Sequence, residues 1–265
     1  MISLIVPTLG TRMDELNRLF DSLDNQTYKE IEAIVVSQAN WDVVENLLEG
    51  RTFKYKHVKT NIRGLSFARN EGLQYVSGDI LTFADDDCWY PNNAFEVVSG
   101  KMLESNYEIG CFQYFDPIGW EAPRVYAEKE KEKINRIEIL QKCSIEIFIN
   151  LEKVSNEDLL FDTRFGVGAE YPRGEDTILL MDLYEKKYCI SYIPKIVVYH
   201  PCKERSRSFT QEEWSIKGIV CKRMFKNPLV GLSVYILLTV RKFHRLDHPV
   251  GTLVEGIKKF ITFKK

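Results

Sequence analysis

The densest group of reactive side chains in the sequence is a run of three carboxylates, Asp85, Asp86 and Asp87. The run follows an apolar segment and precedes Pro91, a residue that suits the first turn of a helix. Carboxylates this close repel one another unless a cation offsets their charge. Oxygen ligands of this kind suit Mg²⁺ or Mn²⁺, which commonly bridge to substrate phosphates. The run therefore predicts a divalent-metal site, and its simpler interpretation is an acidic turn capping the next helix.

Two further places could contribute proton transfer or metal binding. Glu175 and Asp176 open a predicted helix after a loop rich in glycine and proline at residues 166–174, where a carboxylate could act as a general base towards a hydroxyl group. The helix dipole also favours acidic residues in a first turn, so a structural role is equally open. His200 closes an apolar segment, where it could be a metal ligand or an ordinary loop histidine.

A third feature suits an anionic ligand. Residues 64–72 begin a predicted helix, and Arg63 stands directly before it. A helix N-terminus with a neighbouring arginine favours phosphate or carboxylate groups. Since arginine is common at helix ends, this segment indicates little when taken alone.

The elements that must position these residues alternate between strands and helices. Strands are predicted at residues 2–7, 31–36, 55–58, 79–84, 109–115, 145–154 and 190–199. Helices are predicted at residues 14–23, 42–48, 65–76, 91–103 and 175–187, and the charge run at 128–133 is interpreted as a solvated helix face. This alternation predicts an α/β fold with a mostly parallel sheet, in which ligands bind beyond the carboxyl ends of the strands.

The composition separates an acidic body from a basic tail. From residue 201 onward there are 14 Lys and Arg against 5 Asp and Glu, a balance of +9, whereas the remainder carries −11. The longest apolar stretch, residues 229–240, falls short of the roughly 20 residues that a membrane-spanning helix needs. The tail reads as basic amphipathic helices with an apolar stripe at Leu253, Ile257, Phe260 and Ile261. We expect this tail to bind an anionic membrane surface without spanning it, with Phe260 and Ile261 buried in the interface, and the alternative is that the tail packs on the catalytic domain.

The motifs together resemble the family 2 glycosyltransferases, which have the GT-A fold. The resemblance extends over residues 2–202 and rests on Pro7-Thr8, residues 64–72, Asp85–Asp87, residues 174–176 and residues 199–201. It implies a single catalytic α/β domain at residues 1–205, with a nucleotide-sugar half at 1–105 and an acceptor half at 106–205. Residues 206–265 would form the C-terminal helical extension.

The resemblance also implies roles for individual residues. Asp85 and Asp87 match the outer positions of the family's DxD motif and, with His200, would hold Mn²⁺ or Mg²⁺. Asp176 matches the catalytic base, and Glu175 would support it. The residues implied in nucleotide-sugar binding are Pro7, Thr8, Gln38, Arg63, Arg69, Asp85 and Asp86. An acceptor hydroxyl would displace the nucleoside diphosphate in one step and invert the anomeric configuration.

One segment departs from the family pattern. Many relatives end the second strand with an acidic turn that reads the base, whereas this chain has Ser37-Gln38 there. Gln38 can still donate and accept hydrogen bonds, and uridine is expected from its frequency in the family. The expected acceptor is a glycan or a polyprenyl-diphosphate-linked glycan in surface polysaccharide synthesis.

The cysteines and the start of the chain bear on the compartment in which the protein works. The six cysteines have no zinc-like spacing and no signal peptide is predicted, so we expect reduced thiols in a cytoplasmic protein, peripheral on the inner face of the membrane.

The alternatives to a glycosyltransferase are a nucleotide-sugar hydrolase, a non-catalytic nucleotide-sugar-binding protein of the same fold, and a nucleic-acid binder that uses the basic tail. The tail lacks a recognisable nucleic-acid motif, so no nucleic-acid partner is expected.

Overall fold

A computed structural model describes residues 1–202 and 208–264 of the chain. The boundary expected between residues 205 and 206 lies outside these described residues. Within them, seven strands form one sheet in the order β3-β2-β1-β4-β6-β5-β7. The strands are β1 (Ile2–Thr8), β2 (Ile31–Ser37), β3 (Lys54–Lys59), β4 (Ile80–Phe83), β5 (Ile109–Phe115), β6 (Ile147–Asn150) and β7 (Ile190–Tyr199).

The helices lie between and after these strands. They are α1 (Met13–Asp24), α2 (Trp41–Leu48), α3 (Leu65–Leu73), α4 (Ala94–Glu104), α5 (Arg136–Ile139), α6 (Glu175–Glu185), α7 (Gln211–Met224), α8 (Pro228–Arg241) and α9 (Pro249–Thr262). The predicted α/β class is therefore confirmed. The neighbouring strands β1, β2, β3 and β4 pair in parallel, as do β5 and β7.

The central strands have the composition of a sheet covered on both faces. Every residue of β1, β2 and β4 is buried, which explains their continuous apolar runs. Helix α3 approaches β1 so closely that a Cβ at Gly72 would lie 2.6 Å from a side-chain carbon of Ile5. This contact fixes the helix that carries Arg69 against the strand that ends at Thr8.

The second half of the sheet differs from the prediction in two places. The strand expected at residues 145–154 is only Ile147–Asn150, and it runs antiparallel to both β4 and β5. The charge run at 128–133 is not a helix, because Lys131 exchanges two backbone hydrogen bonds with Tyr192 of β7. Pairing with the edge strand β7 satisfies the backbone N–H and C=O groups of Lys131. Sequence periodicity alone does not reveal such pairing.

The C-terminal helices pack on one another and on α6. Helices α7 and α9 cross where a Cβ at Gly218 would lie 2.2 Å from the carbonyl oxygen of Gly256. The predicted apolar stripe of α9 mostly faces inward, since Phe260 is buried in a cluster with Trp214 and Tyr235. The expectation that Phe260 faces lipid is therefore wrong: helix packing covers its ring.

Ile261, the last residue of that stripe, remains exposed. Further exposed apolar side chains lie on the outer side of α8, namely Leu229, Val230, Leu237 and Val240. In residues 1–202 and 208–264, no helix has both the length and the apolar character that crossing a bilayer requires.

Candidate active site

The three consecutive carboxylates lie at the carboxyl ends of β1 and β4, directly after β4. Thr8, the last residue of β1, donates its hydroxyl to Asp86 Oδ2 at 2.8 Å. Arg12, which precedes α1, approaches the same cluster: its Nη1 lies 2.5 Å from Asp87 Oδ2 and 3.3 Å from Asp86 Oδ1. The guanidinium group is half exposed and reaches the carboxylates from the solvent side.

His200 joins this cluster because β7 is tied to the loop that follows the carboxylates. Trp89 and Tyr199 exchange two backbone hydrogen bonds, of 3.0 and 2.7 Å. The His200 ring therefore faces Asp87, with Nε2 3.1 Å from Asp87 Oδ1. Its other ring nitrogen, Nδ1, lies 2.8 Å from the carbonyl oxygen of Pro201. A histidine that donates Nδ1–H to a carbonyl keeps Nε2 available as a ligand.

The donor atoms fit a divalent cation. One ligand atom each from Asp85, Asp87 and His200 lie within 4.8 Å of one another. Two carboxylate oxygens and one imidazole nitrogen form a donor set that suits Mg²⁺ or Mn²⁺. Three protein ligands also leave coordination positions for substrate oxygens. The structure therefore brings the predicted metal-binding residues together.

The electrostatics of the three carboxylates differ. Burial raises the pKa of Asp85, and the neighbouring Arg69 only partly opposes this. Burial also raises the pKa of Asp86, against the Thr8 hydrogen bond. Burial would raise the pKa of Asp87 too, but the hydrogen bond and charge of His200, with the charge of Arg12, outweigh it and hold that pKa below its usual value. Asp87 is thus the member of the run that stays ionised most readily.

The second acidic pair, Glu175 and Asp176, begins α6 and faces the first cluster. Gly174, with φ +99°, turns the chain into the helix, and a Cβ there would lie 2.7 Å from a side-chain carbon of Val220. Asp176 Oδ2 accepts a hydrogen bond from the backbone N–H of Ser144 at 3.0 Å. This bond anchors the start of α6 to the segment that leads into β6.

Arg69 connects the two acidic clusters. Its Nη1 donates to Asp176 Oδ1 at 2.7 Å, and its Nη2 donates to Asp85 Oδ1 at 3.1 Å. Nη2 also donates to the hydroxyl of Ser144 at 2.6 Å. The guanidinium group is only 1% exposed and lies between the rings of Phe83 and Phe161, 5.6 and 5.1 Å from their centroids. One buried cation therefore sets the separation of the two carboxylate groups.

Glu175 lies beside this bridge without a close bond to it. Its Oε1 is 4.0 Å from Arg69 Nη1, and the residue is buried. Burial and the adjacent charge of Asp176 raise the pKa of Glu175 to about 7, against the opposing charge of Arg69. A carboxylate that titrates near neutral pH suits proton transfer.

The remaining predicted residues line the same edge of the sheet. Pro7 and Thr8 are buried at the end of β1. Gln38 follows β2, and its side-chain nitrogen donates to the carbonyl oxygens of Ile62 and Gly64. Gln38 thereby holds the loop that carries Arg63, whose side chain is exposed.

Sequence analysis missed Arg12 and Ser144 and did not foresee the bridging position of Arg69. Arg12 could have been found, because a basic residue four positions after the end of a strand stands at the ligand-binding edge of such a sheet. Ser144 has no local signal, since its contacts to Arg69 and Asp176 join segments far apart in sequence.

The chain is similar in sequence to known proteins. The chain matches the model "Glycosyl transferase family 2" over residues 3–153. Glycosyltransferase GlyA of Streptococcus pneumoniae is 25% identical over 228 residues, which cover 80% of this chain and 32% of that protein. The GalNAc(5)-diNAcBac-PP-undecaprenol beta-1,3-glucosyltransferase of Campylobacter jejuni is 27% identical over 194 residues, which cover 70% of this chain and 60% of that protein. The chain thus spans under two thirds of the length of both relatives.

A solved structure shares the fold. The crystal structure of S. aureus TarS 1-349 in complex with UDP-GlcNAc superposes with a TM-score of 0.71 at 16% identity. The superposition covers 98% of this chain and 80% of that chain. The expected GT-A type of fold is therefore confirmed.

Proposed function

This chain belongs to glycosyl transferase family 2, and from that premise we propose that it transfers a sugar from a nucleotide diphosphate sugar to an acceptor hydroxyl with inversion. The observation that carries the proposal is the Arg69 bridge. Arg69 holds Asp85, whose carboxylate suits binding of a metal ion and a diphosphate, close to Asp176, whose carboxylate suits proton abstraction.

On the donor side, Asp85, Asp87 and His200 would hold Mn²⁺ or Mg²⁺ against the diphosphate. When bound, such an ion neutralises the charge that grows on the leaving group. Pro7, Thr8, Gln38, Arg63 and Asp86 would contact the nucleotide or shape its pocket. Uridine is proposed as the base, supported by its frequency in the family and by the UDP-GlcNAc complex of TarS.

Arg69 takes a different role from the direct nucleotide contact expected of it. Because its guanidinium group is buried and bonded to Asp85 and Asp176, we assign it to positioning those carboxylates. A preorganised buried cation of this kind fixes charge geometry before substrate binds.

On the acceptor side, Asp176 would take the proton of the attacking hydroxyl. The Ser144 amide and Arg69 orient its two oxygens, whose remaining lone pairs can accept that proton. Glu175 would support the base in its ionised form, because a second negative charge beside Asp176 favours transfer of the hydroxyl proton to that carboxylate. Because the hydroxyl attacks from the face opposite the leaving group, one displacement suffices and no covalent intermediate is required.

For the acceptor we propose a glycan or a polyprenyl-diphosphate-linked glycan of a surface polysaccharide, met at the inner face of the cell membrane. The support is the +9 balance after residue 200, together with the exposed apolar side chains of α8 and Ile261. A basic surface flanking apolar side chains favours adsorption to anionic lipid. Helix packing covers Phe260, so α8 replaces much of the α9 stripe in this proposal.

A donor screen tests the function. Nucleotide sugars are incubated with the protein, Mn²⁺ and candidate acceptors, and nucleoside diphosphate release is measured together with the anomeric configuration of the product by NMR. We expect release that stops in excess chelator, rises strongly with acceptor, and gives an inverted product. Release independent of acceptor would indicate a hydrolase, binding without turnover would indicate a non-catalytic protein, and a retained configuration would overturn the single displacement.

A further inference from the structure

Three basic residues come from segments that meet near Trp214, on the side of the molecule where α6 begins. Arg173 lies on the loop before α6, Lys217 on α7 and Lys242 directly after α8. We call Arg173, Lys217 and Lys242 the basic cluster. Nothing in the catalytic roles described above uses these residues.

Contacts to α7 and α8 bring the cluster together. Lys217 Nζ lies 4.8 Å from the centre of the Trp214 ring. The indole N–H of Trp214 donates to Thr239 Oγ1 at 3.1 Å, and the backbone N–H of Lys242 donates to the carbonyl oxygen of Thr239 at 3.0 Å. The end of α8 that carries Lys242 is therefore fixed beside Lys217.

The third cation reaches the cluster from the catalytic loop. Arg173 Nη2 lies 2.8 Å from Glu213 Oε1, and Glu213 lies one helical turn before Lys217 on α7. Arg173 is also only three residues before Asp176, so the two Cα atoms are within about 11 Å of each other. Arg173 thus connects the basic cluster to the start of the helix that carries the proposed catalytic base.

Lys217 carries a poorly compensated charge in the basic cluster. Within the described part of the chain, its ammonium group makes no hydrogen bond and no ion pair, although the side chain is largely covered. Burial lowers the pKa of Lys217, and the positive charges of Arg173 and Lys242 lower it further. The nearby Cys221 supplies no compensating charge at neutral pH, because burial raises its pKa to about 12.

Lys242 is in a similar electrostatic environment. Burial lowers its pKa, and the positive charges of Arg245 and Arg241 add to the effect. A desolvated ammonium group among like charges is unfavourable unless an anion offsets it. Glu213 neutralises only part of the cluster, since it lies against Arg173 and at the N-terminus of α7.

We propose that the basic cluster of Arg173, Lys217 and Lys242 binds the phosphate or diphosphate group of the acceptor. This inference rests on the proposed function, because it takes the acceptor hydroxyl to lie at Asp176. Ammonium and guanidinium groups form strong charge-assisted hydrogen bonds to phosphate oxygens. The cluster would therefore select acceptors whose phosphate lies close to the reacting hydroxyl, as in a glycan linked to a lipid through a diphosphate.

The test uses the full chain with Mn²⁺ and just enough UDP to saturate the donor site. Binding of farnesyl diphosphate is measured by calorimetry, with farnesol as the neutral counterpart. The variants are Lys217→Met, which replaces a partly buried ammonium group with an apolar side chain of similar length, and Lys242→Gln. Lys258→Gln, on the exposed side of α9, is the matched control.

We expect wild-type protein to bind farnesyl diphosphate but not farnesol, and each cluster variant to weaken that binding by about tenfold or more. The control should bind as the wild type does. Lys217→Met should melt no lower than wild type, since it removes one of three neighbouring positive charges. Lack of binding by folded wild type, or unchanged binding by both cluster variants, would overturn the proposal.

Vesicles of phosphatidylglycerol distinguish an acceptor site from a lipid-headgroup site. The proposal expects vesicle sedimentation of Lys217→Met to equal that of wild type. Loss of vesicle binding with farnesyl diphosphate binding intact would assign the cluster to the membrane instead. Failure of the proposed function is separate, because it would appear as an absence of donor turnover in wild-type protein that still binds farnesyl diphosphate.

Discussion

The two acidic clusters of the site are neutralised in different ways. Asp86 and Asp87 meet Arg12, a half-exposed side chain that approaches from solvent. Asp176 meets Arg69, which is 1% exposed and also holds Asp85. Surface cations are readily displaced, whereas a buried ion pair cannot lose one partner without a large penalty.

This contrast indicates that the two acidic clusters have different roles. The first cluster has a counter-cation that can leave, which suits the metal and diphosphate binding proposed for it. The second cluster keeps its buried cation, which suits the proposed role of Asp176 as a base held in one position. The fixed partner maintains the geometry and the exchangeable partner permits binding.

The largest expected effect comes from removing the fixed cation. Arg69→Met leaves Asp85, Glu175 and Asp176 close together without their buried partner, and we expect it to lower the free energy of unfolding by about 3–5 kcal/mol and abolish transfer. Denaturant unfolding measures the change. Arg12→Met is the matched control, with an expected loss below about 1 kcal/mol. Equal losses for the two variants would remove the distinction between fixed and exchangeable cations.

The next effect concerns pH. Because burial and Asp176 raise the pKa of Glu175 to about 7, we expect turnover to rise with pH through about 7, as Glu175 becomes ionised. Glu175→Gln should lower kcat and remove this limb. Stability changes in the opposite direction. Because the pKa of Glu175 is raised from 4.5 to about 7 by folding, the free energy of unfolding falls as pH rises through this range, and Glu175→Gln should not show that loss. An unchanged pH profile in the variant would assign the limb to another group.

The smallest effect sharpens the role of Arg12. With Arg12→Gln, Asp86 and Asp87 lose a competing positive charge, so we expect Mn²⁺ alone to bind a few-fold more tightly. Calorimetry at low ionic strength measures the affinity, and the difference should shrink as salt is added. Weaker Mn²⁺ binding in the variant would mean that Arg12 helps to organise the metal site rather than to compete for it.

The parts of the site that follow strand ends could be predicted from the sequence. Asp85–Asp87, Asp176 and His200 stand at helix or strand boundaries, and the carboxyl ends of parallel strands meet at one edge of a sheet. The Arg69 bridge could not be predicted, because it joins residues 107 positions apart through a buried side chain. The burial of Phe260 was missed for a similar reason, since helical periodicity reveals an apolar face without revealing what covers it.

The most direct test of the two-cluster account is calorimetric titration of UDP, with and without Mn²⁺, into Asp87→Asn and Asp176→Asn. We predict that Asp87→Asn loses the metal-dependent part of UDP affinity. Asp176→Asn should keep near-wild-type affinity for UDP while its turnover falls by orders of magnitude, since the base acts on the acceptor. Loss of metal-dependent UDP binding in both folded variants, or in neither, would contradict the separation of donor and acceptor roles between the clusters.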